Sequence, residues 1–356
     1  MSLSFAHDTL RQRVLFGSGQ AAQLLADEVS RLGSKKVMLI AATYEAEIAA
    51  KVAATITPAV HFDDVVQHVP IEKAETARSV ATTEGVDLLV CVGGGSTTGL
   101  AKAVAMTTGI PIVAVPTTYA GSEATPVWGL TEAARKTTGI DIKVLPTTVI
   151  YDASLTYSLP TELSVASGMN ALAHCVDSLW APKADPINAA FAVEGIRALA
   201  EGLPLVVADS NSEEGREKTL YGAYLSALSF GSAGSGMHHK ICHVLGGTYN
   251  LPHAQTHATV LPYVLAFNAS HAPEAEKRMA QAFGTATALE GLQNLRATLD
   301  APRALKDYGF NESDIAEAVS IALPIIPTNN PRPVTPENLT ALLTAAWAGD
   351  DPTVLR

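Results

Sequence analysis

After Asp152 the chain stops making strands, and this change of texture constrains the fold more than any other feature. Upstream, short runs rich in Val, Ile and Leu alternate with helical stretches. Strands are expected at residues 37–42 (Val-Met-Leu-Ile-Ala-Ala), 59–66, 87–92, 110–115 and 148–151, with helices at 21–32, closing on Gly33, at 71–84, closing on Gly85, and at 100–106. The strand runs are apolar on both faces, the pattern of parallel strands covered by helices on either side. Downstream, Ala- and Leu-rich amphipathic stretches take over at 163–179, 186–203, 213–245, 272–289 and 337–348. The reading is an α/β domain over residues 1–156 and an all-helical domain over 157–356. Within the third stretch, Gly231-Ser-Ala-Gly-Ser-Gly236 either kinks the helix or lets a backbone or cofactor approach closely.

Bulk properties narrow the function class. A chain of 356 residues is long for one core, which fits two domains. The formal net charge of -11 argues against nucleic acid or a membrane surface as partner, and leaves room for an anionic substrate met by a few local cations. Cys91, Cys175 and Cys242 are odd in number and form no C-x-x-C pair, so reduced thiols in a cytoplasmic protein are expected, with Cys175 and Cys242 as core fillers. The first residues carry neither a basic nor an apolar leader region, and no apolar run approaches the ~20 residues needed to span a bilayer.

Two turns at predicted strand ends are candidates for an anion. Gly93-Gly94-Gly95-Ser96 follows a buried strand and opens a helix, so its backbone N–H groups and the helix N-terminus favour a pyrophosphate. It is not the G-x-G-x-x-G fingerprint, because Thr98 stands in the last glycine's place, and a purely structural turn is the competing reading. Pro116-Thr117-Thr118-Tyr119-Ala120-Gly121-Ser122 ends the next strand and adds hydroxyls at the same carboxyl edge. Lys136 is either a phosphate or ribose contact or a solvated loop cation.

The helical half holds the second concentration of chemistry. Five of the ten histidines (His238, His239, His243, His253 and His257) fall within twenty residues, downstream of Asn170-Ala-Leu-Ala-His174. Spacings of four place Asn170 with His174, and His239 with His243, on one helix face each. His174, His239 and His253, with Pro252 stiffening the last, suit a catalytic divalent ion such as iron, zinc or manganese. Asn170 stands where a carboxylate ligand is expected, and its neutral amide oxygen should weaken metal affinity. His243 is left as proton donor or relay, and His238 is expected to face away.

These motifs together resemble the iron-containing alcohol dehydrogenases. Gly93-Gly-Gly-Ser96, Pro116-Thr-Thr118, Gly168-Met-Asn-Ala-Leu-Ala-His174 and His239-Lys-Ile-Cys-His243-Val-Leu-Gly246, followed by Pro252-His253, occur in family order along nearly the whole chain. Asn in the Gly-Met-Asn-Ala motif, the Thr97-Thr-Gly-Leu-Ala-Lys102 continuation and Asn330-Pro-Arg-Pro-Val334 are most similar to the maleylacetate-reducing branch. The resemblance implies a dehydroquinate synthase-like fold with a parallel sheet between helices, an all-α second domain, an active site in a cleft, and a homodimer. It implies that Gly94, Gly95 and Ser96 cradle a pyrophosphate, that Thr117, Thr118 and Ser122 line the adenine and ribose side, and that Lys136 reaches the nicotinamide ribose. It maps metal ligands to Asn170, His174, His239 and His253, and a further active-site histidine to His243. Thr43 occupies the place of the acidic residue that selects NAD, so NADPH is expected to be tolerated beside NADH, although Glu45 lies close by.

The implied reaction is conjugate addition to a small dicarboxylate enone. Hydride goes to the alkene carbon β to the ketone, the enolate oxygen is stabilised, and the neighbouring carbon is protonated. Such an acceptor needs less Lewis-acid help than an alcohol–ketone interconversion, so His243, His239 or His253 are expected to be able to polarise the oxygen even without metal. Lys240 and Arg332 are the candidate partners of the substrate carboxylates, or else ordinary surface charges. The rival within the family is a metal-dependent alcohol or polyol dehydrogenase.

Overall fold

A computed structural model describes residues 4–132 and 135–355, with the side chains of Arg135 and Lys136 outside the described part. The chain divides into two compact units, one spanning Leu10–Leu159 and one running from Pro160 onward together with the segment before Leu10.

The first unit contains β1 (Arg13–Phe16), α1 (Ala21–Leu32), β2 (Val37–Ile40), α2 (Ala46–Val52), β3 (Val60–Phe62), α3 (Ile71–Glu84), β4 (Leu88–Gly93), α4 (Gly95–Thr108), β5 (Ile112–Pro116), β6 (Val127–Glu132), β7 (Arg135–Ile140) and β8 (Thr148–Tyr151). Six strands form a parallel sheet in the order β1-β8-β5-β4-β2-β3, and β6 pairs with β7 as an antiparallel hairpin. Alternation along the strands sorts the core onto two faces. Met38, Ile40, Leu89, Cys91 and Ala114 pack with α3 and α4, whereas Leu39, Leu88, Val90, Val92 and Val113 pack with α1 and α2. The chain passes from β2 outward to β3, then returns across β2 to β4. The crevice at the carboxyl ends of β2 and β4 is therefore the topological switch point, where open α/β sheets bind ligands. Gly93–Gly95 and Thr43–Glu45 both sit at those ends.

The second unit is helical: α5 (Thr161–Ser178), α6 (Pro186–Ala208), α7 (Glu213–Ala233), α8 (Met237–Tyr249), α9 (His253–Ala269), α10 (Pro273–Phe283), α11 (Ala288–Thr298), α12 (Ile315–Ala322) and α13 (Pro336–Ala348). Long helices follow from the Ala/Leu composition, and α6, α7, α11 and α13 start on side-chain caps. Asp185 forms a capping box with Asn188 at α6, and Thr335 forms one with Asn338 at α13, each contributing about 1 kcal/mol. No described helix is long and apolar enough to cross a membrane.

Sequence expectations change here, and the stretch expected over 272–289 divides into α10 and α11 because Gly284 takes a left-handed φ of 70°. The segment before Leu10 belongs with the helices rather than the sheet, and His7 Nδ1 lies 2.8 Å from the Asp185 carboxylate within that unit. The single helix expected over 213–245 is two, because Gly234 takes a left-handed φ of 82° and ends α7.

Candidate active site

In the sheet unit, the turn between β4 and α4 is made possible by Gly93. Its φ of 150° is unfavourable for a side chain, and a Cβ there would collide with Glu45 and Thr97. α4 then starts at Gly95 with Gly94 as N-cap and no side-chain cap, so its first N–H groups remain available to an anion. Gly95 is exposed, and Ser96, Thr118 and Ser122 are half-buried around it, while Thr117 is buried. A Cβ on Gly94 would stand 3.1 Å from Thr118 Cγ2, so the two turns close on each other.

Two buried charges hold this edge in place. Glu45 is 6% exposed and accepts from Thr117 Oγ1 at 2.7 Å and Thr97 Oγ1 at 3.4 Å. It joins the ends of β2, β4 and β5 and is buried there, whereas Thr43, two residues earlier, is exposed. Lys102, fully buried on α4, donates to the carbonyls of Ser122 (2.6 Å), Val127 (2.7 Å) and Thr125 (2.8 Å). Burial pulls its pKa down to about 7, yet three carbonyl partners require three N–H donors, so the ammonium is the form the segment is built around.

In the helical unit the imidazoles converge. His174 and His239 stack with centroids 5.0 Å apart, and Phe230 of α7 lies 4.8 Å and 4.3 Å from them. His239 is 5.0 Å from His257, and His257 is 4.5 Å from His253 at the start of α9. His243 meets His239 edge-on at 6.2 Å. Thus Asn170, His174, His239 and His253, from three separate helices, belong to one cluster or its margin. His243 and His253 are exposed, and the others are buried.

The residue missed by sequence reasoning is Asp177. Its Oδ2 accepts His239 Nδ1 at 2.7 Å and the Gly236 N–H at 2.8 Å, and its Oδ1 accepts the His238 N–H at 3.3 Å. A Cβ on Gly236 would press on this carboxylate, so the close backbone approach foreseen for the glycine segment is made by Asp177. The signal was present: Asn170, His174 and Asp177 follow i, i+4, i+7 spacing on one face of α5. Burial pushes the Asp177 carboxyl up, but the backbone N–H groups converging on it favour the ionised form.

That contact decides what His239 can do. A neutral imidazole has one N–H, and Asp177 takes it at Nδ1, which leaves Nε2 as a lone pair. The expectation that His239 polarises a substrate oxygen by donating is corrected: it is set up to accept or to ligate. Nε2 of His239, Nδ1 of His174 and Oδ1 of Asn170 are all buried without a hydrogen-bond partner, although polar atoms in folded interiors are ordinarily paired. Burial, then neighbouring imidazoles, hold His174 and His239 well below the ordinary histidine range, so both are neutral near pH 7. A carboxylate-backed imidazole beside unpartnered nitrogen and oxygen atoms fits a divalent cation.

His238 does not face away as expected. It is fully buried, with Nε2 3.0 Å from His257 Nδ1 and 3.6 Å from Cys242 Sγ. Among the described His, Cys and carboxylate side chains, those of His238, Cys242 and His257 bring their ligand atoms within 4.8 Å of one another, whereas the set around His239 also draws on the amide of Asn170 and on exposed His253. Burial drives the Cys242 thiol well above its ordinary pKa, so the cluster is a hydrogen-bonded imidazole pair backed by a neutral thiol. Lys240 is partly exposed and near enough to His239 to depress its pKa. Arg332 donates to the Leu355 carbonyl at 2.5 Å and lies over the Phe267 ring at 4.5 Å, which makes it a tether for the chain end rather than a free carboxylate partner. Lys136 lies on β7, and its side chain falls outside the described residues.

Comparison with known proteins agrees with this geometry. The pattern described as iron-containing alcohol dehydrogenase matches residues 11–153, and that of the Fe-containing alcohol dehydrogenase family C-terminal part matches 164–347. A maleylacetate reductase of Sphingobium indicum is 45% identical over 352 residues, 98% of this chain and 99% of its own. The crystal structure of an iron-containing alcohol dehydrogenase from Corynebacterium glutamicum is 68% identical, covers 100% of both chains and has a TM-score of 0.99. That of a maleylacetate reductase from Rhizobium sp. strain MTP-10005 is 40% identical, covers 98% of this chain and 99% of its own, and has a TM-score of 0.93. The chain belongs to the iron-containing alcohol dehydrogenase family.

Proposed function

We propose that this chain is a maleylacetate reductase, which reduces the carbon–carbon double bond of 2-maleylacetate to 3-oxoadipate with NADH or NADPH. The observation that carries the reading is the 45% identity to the Sphingobium indicum maleylacetate reductase over 98% of the chain, which spans both the glycine turn and the histidine helices. The uncapped start of α4, with Gly94, Gly95 and Ser96, takes the dinucleotide diphosphate, and Thr117, Thr118 and Ser122 line its neighbourhood. Lys136 belongs to the same proposed cofactor set. With Glu45 turned inward and Thr43 at the ribose position, no carboxylate repels a 2′-phosphate, which supports use of either cofactor.

Asn170, His174, His239 and His253 would hold the divalent cation, which supplies Lewis acidity toward the ketone oxygen when bound. Asp177 keeps the lone pair of His239 Nε2 directed at that site. Lys240, one residue on, attracts a substrate carboxylate. His243, exposed one turn from His239, donates the proton to the carbon next to the ketone after hydride has arrived at the β carbon. Phe230, stacked on His174 and tilted against His239, covers one side of these two rings.

The test is oxidation of NADH and NADPH by purified protein with maleylacetate, before and after chelation and metal restoration. Turnover with maleylacetate is expected with both cofactors, and its absence contradicts the reading. A second reading, a metal-dependent alcohol or polyol dehydrogenase, draws support from the unpartnered ligand atoms of the helical unit. It requires chelator-sensitive oxidation of a small alcohol faster than turnover of maleylacetate.

A further inference from the structure

The glycine turn of the sheet unit has two sides. Toward solvent, the first N–H groups of α4 are open to a diphosphate. On the inner side lies the Glu45 carboxylate, against Gly93 and bonded by Thr117 and Thr97, with the Ala42 and Gly94 backbone N–H groups also directed at it. A buried acid therefore backs the same turn that is proposed to receive an anion.

We infer that Glu45 couples dinucleotide binding to uptake of one solvent proton, its carboxylate becoming the neutral acid as the diphosphate settles on the turn. The inference rests on the proposed nucleotide reading of that turn. Its basis is the charge inventory around Glu45. β5 offers Thr117, and the β4–α4 turn offers Thr97. Further along β4 and α4 stand Cys91 and Lys102, and Lys102 is committed to three carbonyls. Beside Glu45, Tyr44 is 79% exposed, and on α2 the Glu47–Lys51 pair is 85% and 68% exposed and joined at 2.9 Å. No cation among these contacts Glu45, so its charge and the diphosphate's would face each other across one turn of backbone in a poorly solvated place.

The neutral acid avoids this repulsion without losing the clamp. It still accepts from Thr117 and from backbone, and the Thr97 hydroxyl can rotate to accept its proton. Burial already raises the Glu45 carboxyl above its ordinary value, against the pull of its hydrogen bonds. A nearby bound anion raises it further. The sign follows: affinity is greatest where Glu45 is protonated in both free and bound protein, and falls as pH climbs through its titration range.

The experiment is calorimetric titration of the full chain with ADP-ribose, which carries the diphosphate but no nicotinamide, from pH 5.5 to 7.5 in buffers of different ionisation enthalpy. Fractional proton uptake is expected, with Kd weakening about three- to tenfold across the range. In Glu45→Gln, which mimics the neutral acid, both the uptake and the pH slope should vanish. Infrared difference spectra of the unsubstituted protein should also gain a protonated-carboxyl band on binding, a readout that does not depend on the variant folding. Binding with no buffer dependence, or uptake retained in Glu45→Gln, overturns the inference. No binding of ADP-ribose at all overturns the nucleotide reading beneath it.

Discussion

The two candidate sites are built by opposite means. The sheet unit makes its site from backbone: Gly93 supplies a conformation, α4 supplies open N–H groups, and the buried charges Glu45 and Lys102 are bonded to hydroxyls and carbonyls. The helical unit makes its site from side chains, and five buried polar atoms of that site (Asn170 Oδ1, His174 Nδ1, His238 Nδ1, His239 Nε2 and His257 Nε2) have no hydrogen-bond partner. A site of backbone donors is complete once the strands pair. A site of unpartnered imidazoles is stable only because each ring is neutral and wedged among others, and it gains most from binding something.

The helical site is most vulnerable at Asp177. Asp177→Ala strands the N–H groups at the start of α8 and frees the His239 ring, and should destabilise the helical unit by about 3–5 kcal/mol in denaturant titrations. Asp177→Asn should keep much of that stability yet lose metal affinity by about 10–100-fold, because the amide no longer fixes the tautomer. Equal effects of the two changes would reduce Asp177 to a helix cap.

Next in size, Gly93→Ala should weaken ADP-ribose binding by at least about tenfold while leaving metal binding unchanged, since its Cβ collides inside the turn. In the other unit, Asn170→Asp should raise divalent-metal affinity by roughly tenfold or more, read by competition with a chromophoric chelator. Unchanged affinity would mean that position 170 is not a ligand.

Acid should separate the two regions as well. In the helical unit, His174, His238, His239 and His257 are held below their unfolded value of about 6.5, so the unfolded state gains protons first and stability falls as pH drops below that value. In the sheet unit, burial raises Glu45 and Glu123, so stability falls there as pH rises through their range instead. Hydrogen exchange at pH 7.5 and 5.5, corrected for intrinsic rates, should show protection lost from α5, α8 and α9 but kept in β4 and β5. Smallest of all, Arg332→Ala should cost about 1 kcal/mol and leave the KM for the diacid unaltered.

What the sequence disclosed follows the same division. α1 and α3 match expectation end for end because Gly33 and Gly85 stop them in left-handed conformations. Strand β8 was equally legible as a buried apolar run. β1, β6 and β7 escaped notice because they are partly exposed, because the apolar run of β1 is only three residues long, and because they owe their pairing to partners distant in sequence or across a hairpin. The histidine cluster was visible through spacing. Its internal order was not, since whether His238 faces out depends on His257 nineteen residues later, and the tautomer of His239 depends on a carboxylate from another helix. Arg332 showed the reverse failing: a lone cation in a distinctive motif invites a ligand, but the folded chain end supplies one.

The most direct test of the account follows the hydride itself. Protein, maleylacetate and NADH deuterated at the transferable position are combined, and the product is read by NMR. The expected product is 3-oxoadipate with deuterium on the carbon β to the ketone and solvent hydrogen on the carbon between them. Deuterium on a carbinol carbon, with the double bond intact, would contradict it and make this chain a carbonyl-reducing dehydrogenase.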